Sequence, residues 1–164
     1  MSAWFWPTTA DIGMRVFANS YSRLLIEAAH GIQTYLLSEN SARTINSHVR
    51  HTGEWRVQSE HSPFDYEFLY MAWLDEVLYR SEVKNQWFMD GMVKIERTEE
   101  ALSIVAQVSW VDASEIEREV EIKAVTTHNF VVSEVLTGTT IRSEWDDVPE
   151  FDGPGWYADV VFDI

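Results

Sequence analysis

The sequence predicts an α+β domain in which two amphipathic helices cover mostly antiparallel sheet in a two-layer arrangement. Two segments repeat apolar residues at helical spacing, and several others alternate or are rich in β-branched residues. The 164 residues, 46% of them hydrophobic, suit a single domain over residues 1–164 with a sizeable core.

The first half of the chain predicts a strand, a helix and further strands. Residues 14–18 alternate in polarity as a short strand does, and Asn19 or Ser20 can cap a helix running to about Leu37. Apolar residues recur along that helix at three- and four-residue spacing. β-branched residues and a break at Thr52-Gly53 predict one or two strands within residues 43–60.

A second helix and a hairpin follow. The helix is expected to start at Ser62-Pro63, because proline is favoured at the first helical position, and its apolar period extends to Leu78. Residues 87–97 and 102–111 predict a hairpin with its turn near 98–100.

The last third predicts two more strands and a long connection. Residues 115–123 fit both periods, and a short helix changing to a strand near Val125 is favoured. Residues 130–135 and 156–164 are predicted strands, and residues 136–155 between them an extended polar loop.

Charge limits the possible partners. Asp and Glu total 27 against 12 Lys and Arg, a formal net charge of -15. Such a surface repels phosphate backbones, so direct nucleic-acid binding is not expected. The charge fits binding of a basic protein partner or a hard cation. It fits equally a surface whose acidity serves solubility or adaptation to a saline interior.

Residue usage also limits location and chemistry. The chain has no cysteine, which excludes disulfides, thiolate metal sites and thiol nucleophiles. No apolar run approaches the ~20 residues of a membrane span, and the N-terminus has no signal-peptide pattern. We therefore expect a cytoplasmic protein without membrane contact.

Common catalytic and metal motifs have little support. There is no phosphate-binding glycine loop and no Gly-x-Ser-x-Gly elbow. His48 and His51 would point to opposite faces of a strand, so they are not expected to share a metal. The acidic stretch 146–153 lacks EF-hand spacing and is expected to be an ordinary loop.

Two aspartates near the chain ends suggest a metal site. Singly, Asp11 fits a turn residue and Asp163 fits protection of an edge strand. If the first and last strands are neighbours, however, the two carboxylates and the Ile164 carboxylate converge and need a cation between them. Hard oxygen ligands favour Ca²⁺ or Mg²⁺ over zinc or copper. The sequence alone does not establish that these two strands are neighbours.

Lys123 and His128 flank a short β-branched stretch. Lys123 fits a local ion pair with neighbouring glutamates or a phosphate-contacting group beside the anionic site. His128 fits an exposed loop histidine better than a catalytic one, because no partner for it is evident.

Four motifs, in this order, carry a resemblance that covers most of the chain. They are residues 9–13 (Thr-Ala-Asp-Ile-Gly), 73–79 (Trp-Leu-Asp-Glu-Val-Leu-Tyr), 121–128 (Glu-Ile-Lys-Ala-Val-Thr-Thr-His) and 161–164 (Val-Phe-Asp-Ile). With them the sequence resembles the archease family. The opening motif combined with the ending is specific.

The resemblance implies a function. Archeases are small cytosolic cofactors of the RtcB-type RNA ligase of tRNA splicing, and they promote guanylylation of the ligase and its multiple turnover. It implies an activator, not an enzyme, with a divalent cation at Asp11, Asp163 and Ile164. Ca²⁺ is the expected ion, with Mg²⁺ or Mn²⁺ as alternatives. It implies a functional role for Lys123, and His128 is a possible phosphate or partner contact.

The sequence also departs from the family pattern. Thr8 stands where the family usually has histidine, Thr127 replaces an aromatic residue, and residues 136–155 form a longer loop. Two other function classes remain open. One is a small metal-dependent hydrolase using the same carboxylates. The other is a generic acidic chaperone or binding module with structural calcium.

Overall fold

A computed structural model describes residues 2–164. The predicted domain of residues 1–164 starts at Met1, which lies outside the described residues. The helices are α1 (Tyr21–Leu36), α2 (Glu39–Thr44) and α3 (Tyr66–Glu82). The strands are β1 (Ala3–Pro7), β2 (Asp11–Ala18), β3 (His51–Gln58), β4 (Gln86–Arg97), β5 (Leu102–Asp112), β6 (Ala124–Val135), β7 (Thr140–Ile141), β8 (Phe151–Asp152) and β9 (Gly155–Asp163).

The strands form antiparallel sheets, which confirms the predicted α+β class. A four-stranded sheet has the order β1-β2-β9-β6, and a three-stranded sheet has the order β3-β5-β4. The short strands β7 and β8 pair with each other. Every pairing of named strands within residues 2–164 is antiparallel.

The two long helices join the sheets through one core. Helix α1 packs on both larger sheets, chiefly on β4 and β2, and α3 packs on β6, β4 and β3. The Trp73 indole donates to the Leu25 carbonyl at 2.8 Å, which ties α3 to α1. In residues 2–164 no helix combines the length and apolar character that crossing a membrane requires.

The helix starts show which capping predictions hold. Ser20 accepts a hydrogen bond from the Arg23 amide, so the predicted cap of α1 is confirmed. The predicted start of α3 at Ser62-Pro63 is wrong. Ser62 adopts a φ of 44°, which is not helical, and the Asp65 carboxylate instead caps the helix.

Two predictions on either side of the hairpin are also corrected. Residues 43–47 are helical, because Ser38 caps α2 by accepting from the Ser41 amide, and the strand of this region begins only at His51. Residues 115–123 contain the end of one 3₁₀ turn rather than a short helix. Their main chain bonds instead to the end of α1. The hairpin of β4 and β5 is confirmed.

Residues 136–155 cross one face of the four-stranded sheet and contain the β7–β8 pair. Trp145 from this segment stacks on Trp6, and Phe151 stacks on Phe17. Val148 is 3% exposed. Apolar contacts therefore hold this acidic segment against the sheet.

Candidate functional site

Alternation along β2 gives the four-stranded sheet two different faces. Met14 and Val16 are fully buried in the core beneath α1. Asp11 and Arg15 point the other way, and Gly13 lies between them on the same face, because successive residues of a strand alternate between faces. This second face, which residues 136–155 partly cover, is called the outer face below.

The outer face brings Asp11 and Asp163 together at one end of the sheet. The two residues are direct antiparallel partners, and Ala124 of β6 lies on the other side of Asp163. The β-carbons of such partners lie about 5 Å apart with their side chains on one face. Within residues 2–164 neither carboxylate has an ion-pair partner. The result is an unneutralised pair of like charges.

Lys123 lies at this same end. Its amide donates to the Asp163 carbonyl at 2.8 Å, and its Nζ donates to the main-chain oxygen of Ile164 at 3.1 Å. Lys123, Asp163 and Ile164 are all exposed. The Lys123 side chain therefore contacts Ile164, the residue after Asp163, rather than the local glutamates.

A tight turn sets the position of Asp11. The Asp11 amide donates to the Thr8 hydroxyl at 3.2 Å, and the Thr8 amide donates to the Asp11 carbonyl at 3.1 Å. A threonine hydroxyl can hold a turn in this way. Thr8 thus fixes where β2 begins.

His128 reaches the outer face through an irregularity in β6. The register with β9 breaks between Thr126 and Val131, and Asn129 has a φ of 51°. His128 and Asp11 both line a cavity of about 290 Å³. The remaining lining residues are Trp6, Thr8, Thr9, Ala10, Asn129, Trp145, Asp159 and Val161. The five residues singled out from the sequence therefore gather at one end of the sheet.

A buried ion pair lies farther along the outer face. Arg15 is 6% exposed and Asp159 is 9% exposed. The guanidinium donates to both carboxylate oxygens at 2.6 Å and to the Arg142 carbonyl at 2.9 Å. Its hydrogen bond to Asp159 is the main cause that raises the pKa of Arg15. This pair was not predicted from the sequence, although a charged residue between apolar neighbours signals that a partner is needed.

Gly13 makes room for an aromatic stack beside the cavity. A β-carbon at position 13 would overlap the Trp6 indole, so the ring lies directly against the strand. Trp145 stacks on Trp6 with 3.9 Å between ring centroids and 15° between planes. Glycine therefore lets residues 136–155 dock close to Asp11. In the sequence, Gly13 stood out only as part of the motif of residues 9–13.

Gly13→Ala is expected to destabilise the fold by about 1–3 kcal/mol, the usual range for overpacking. The added methyl group must displace Trp6 and disturb its stack on Trp145. Urea unfolding followed by tryptophan fluorescence measures the change. Gly138→Ala is not a suitable control, because Gly138 has a φ of 85°. Gly53→Ala is a suitable control, because a β-carbon at position 53 makes only an ordinary van der Waals contact with Trp110.

Comparison with known proteins identifies the family. The family model described as the archease protein family matches residues 4–164. The chain belongs to the archease family. It is 30% identical to the protein archease of Methanopyrus kandleri over 126 residues, 76% of this chain and 84% of the relative. It is 28% identical to the Pyrococcus abyssi protein archease over 132 residues, 79% of this chain and 87% of the relative.

A solved structure supports the fold of this archease. The solution structure of Methanobacterium thermoautotrophicum protein 1598 superposes with a TM-score of 0.64 at 20% identity. The match covers 99% of each chain. It therefore extends over the whole α+β architecture, including the sheet that carries Asp11 and Asp163.

The donor set at the sheet end of this archease fits a hard divalent cation. Asp11 and Asp163 supply carboxylate oxygens on one face, and Ile164 adds a main-chain oxygen that accepts here from the Lys123 ammonium. Across residues 2–164 no three side chains of histidine, cysteine, aspartate or glutamate converge to hold a metal. A cation here would therefore depend on the Ile164 oxygen or on a partner to complete its ligands.

Proposed function

We propose that this chain is a protein cofactor of an RtcB-type RNA ligase in cytoplasmic tRNA splicing. It promotes guanylylation of the ligase and so allows multiple turnover, and it is not itself a catalyst. Membership of the archease family supports this proposal. The observation that carries it is the direct pairing of Asp11 with Asp163, which gives the chain an exposed acidic end beside Lys123.

The acidic end is proposed to dock at the basic, nucleotide-binding cleft of the ligase. Asp11, Asp163 and the Ile164 carboxylate would hold Ca²⁺, or alternatively Mg²⁺ or Mn²⁺. The cation supplies positive charge that offsets the two paired carboxylates and attracts phosphate oxygens. The residues of the chain fix where that charge lies on the outer face.

Lys123 and His128 are proposed as contacts to phosphate or to the ligase. The Lys123 ammonium is exposed and has one described partner, the Ile164 oxygen. It can therefore turn towards a phosphate or a ligase carboxylate without unpairing a buried charge. His128 is exposed and lines the cavity beside Asp11, where a partner group can reach it.

The direct test is the rate of guanylylation of a purified cognate ligase. Labelled GTP and divalent cation are supplied with and without this chain, and the covalent ligase–GMP adduct is counted over time. The proposal expects faster adduct formation with the chain. An unchanged rate with a competent ligase would contradict it. Phosphate-ester hydrolysis by the chain alone, lost in Asp11→Ala, would instead assign a metal-dependent hydrolase.

Association with the ligase is expected to slow as salt rises. The net charge of -15 and the acidic end steer a basic partner, and this steering is screened over about 8 Å at physiological ionic strength. Stopped-flow association between 50 and 500 mM NaCl should show a fall of about tenfold or more. Equal association rates across that range would contradict docking through the acidic end.

A further inference from the structure

Helix α3 has apolar residues on two opposite sides. Its inner side is buried, with Leu69, Trp73 and Val77 at most 1% exposed. Its outer side shows Phe68 at 38% and Tyr79 at 44% exposure, with the half-buried Met71 between them. Apolar side chains grouped on the solvent side of a helix can mark a binding surface. No part of residues 2–164 buries this outer stripe.

The outer stripe forms one wall of a groove whose other wall is the edge of a sheet. Strand β3 is the edge strand of the order β3-β5-β4. The groove measures about 420 Å³. Residues 56–61 line it on one side, and Phe68, Met71, Asp75, Glu76 and Tyr79 of α3 line it on the other.

The groove reaches the main chain of β3. Side chains of a strand alternate between faces, so a cavity lying on one face meets every second residue. Residues 56–58 line the groove consecutively, which places the groove along the strand edge. Within residues 2–164 the main chain of β3 pairs only with β5. The outward amide and carbonyl groups of this edge are therefore free for another strand.

The charge of the groove favours a basic occupant. Asp75 projects from α3 into the groove, and its carboxylate has no ion-pair or hydrogen-bond partner within residues 2–164. The surrounding walls partly desolvate it, which raises its pKa. Glu60 adds a second acid, whereas Glu76 is already paired with Arg80 at 2.6 Å. Arg56 also lines the groove, but its guanidinium is paired with Glu54 at 2.7 Å.

We infer that this groove binds an extended basic segment of a partner protein, which adds as a strand to the free edge of β3. Alternate side chains of the segment rest on the stripe of Phe68, Met71 and Tyr79, and a lysine or arginine meets Asp75. A second copy of this chain is disfavoured, because it would bring a net charge of -15 to an acidic groove. The groove lies on the three-stranded sheet, so the inference does not rest on the proposed function.

Asp75→Asn is expected to fold normally and to change the pH dependence of stability. A carboxylate whose folded pKa is raised binds its proton more readily in the folded state, so its protonation stabilises the fold as pH falls from 7 to about 4, the ordinary range of an aspartate. Arg56, Glu60 and His61 face Asp75 across the groove, and Glu76 and Tyr79 lie beside it on α3. All of these remain in the variant. Urea unfolding at both pH values should show that acidification changes the free energy of unfolding less favourably for Asp75→Asn than for the native chain, and an equal change in both would contradict this.

The binding test uses three matched synthetic octapeptides as probes. Each alternates valine and threonine and carries a fluorescein label. One has a central lysine, one has glutamate at that position, and one has the lysine with N-methyl groups on alternate amides. Fluorescence anisotropy measures affinity, and amide shifts in ¹⁵N spectra locate the site. Glu99→Gln serves as the control for Asp75→Asn, since it removes one exposed charge in the β4–β5 turn.

The lysine probe is expected to shift amides of residues 56–61 and 68–79. The glutamate and N-methylated probes should bind the native chain at least about tenfold more weakly than the lysine probe. The lysine probe should also bind Asp75→Asn at least about tenfold more weakly, whereas its affinity for Glu99→Gln should equal that for the native chain. No shift along these residues at about 1 mM lysine probe would overturn the inference. So would equal binding of all three probes. Concentration-dependent shifts of the same amides without probe would assign the groove to a second copy and overturn it too.

Discussion

Asp163→Asn is expected to abolish stimulation of the ligase while leaving the chain folded. The substitution removes one of the two cross-strand carboxylates but keeps the shape of the side chain. Asp163 is exposed, and its carbonyl can still accept from the Lys123 amide, so β9 keeps its place. Loss of even a supporting group at a metal site costs about 10- to 100-fold in affinity or activity, and loss of a ligand should cost at least as much.

A second readout separates cation binding from contact with the ligase. Saturating Ca²⁺, at about 100 times its dissociation constant, is expected to stabilise the native chain by about 2.7 kcal/mol. For a chain of this size that raises Tm by roughly 5–11 °C. Asp163→Asn should lose most of this shift, and Glu99→Gln should keep it. An Asp163→Asn variant that retains both the Tm shift and ligase stimulation would contradict the proposed site.

Breaking the Arg15–Asp159 pair is expected to have the largest effect on stability. Asp159→Asn leaves the Arg15 guanidinium buried without its partner charge. Arg15→Met leaves the Asp159 carboxylate buried without its partner charge. Removing one partner of a buried pair costs about 3–5 kcal/mol. Chemical unfolding at pH 7 measures the loss, which should lower Tm by roughly 6–20 °C.

A double variant provides the control for this prediction. Arg15→Met combined with Asp159→Leu removes both charges and keeps apolar volume, so it should be clearly more stable than either single variant. The Arg142 carbonyl also loses its donor, so full recovery is not expected. If the double variant is as unstable as the sum of the two single variants, the pair does not act as a unit.

The parts of the fold that the sequence predicted correctly are those where a local pattern decides the structure. The structure confirms the helix predicted from the apolar period of α1 and its Ser20 cap. It also confirms the hairpin predicted for β4 and β5. The start of α3 was missed because the local cap is Asp65 rather than Ser62, whereas the other errors involve long-range contacts. Residues 43–47 read as strand from β-branching, yet the buried hydroxyl of Ser41 accepts from the Glu117 amide, 76 residues away in sequence. Single-segment propensity carries no information about such a contact.

The candidate site shows the same division. Asp11 and Asp163 each look unremarkable in their local sequence, and their meeting depends on the pairing of β2 with β9. The sequence shows that a metal site would require the first and last strands to be neighbours, but it does not show that they are. Trp145 lies in a stretch rich in acidic residues, and its sequence does not indicate that it stacks on Trp6. That stacking depends on the absence of a side chain from glycine at position 13. Tertiary packing, rather than local pattern, placed these groups.

The measurement that tests the central claim most directly is multiple-turnover RNA ligation by the cognate RtcB-type ligase. GTP, divalent cation and excess RNA ends are supplied, and product per ligase is followed with and without this chain. The account predicts many turnovers with the native chain and a stop near one turnover in its absence or with Asp163→Asn. Equal turnover with and without a folded native chain would contradict it.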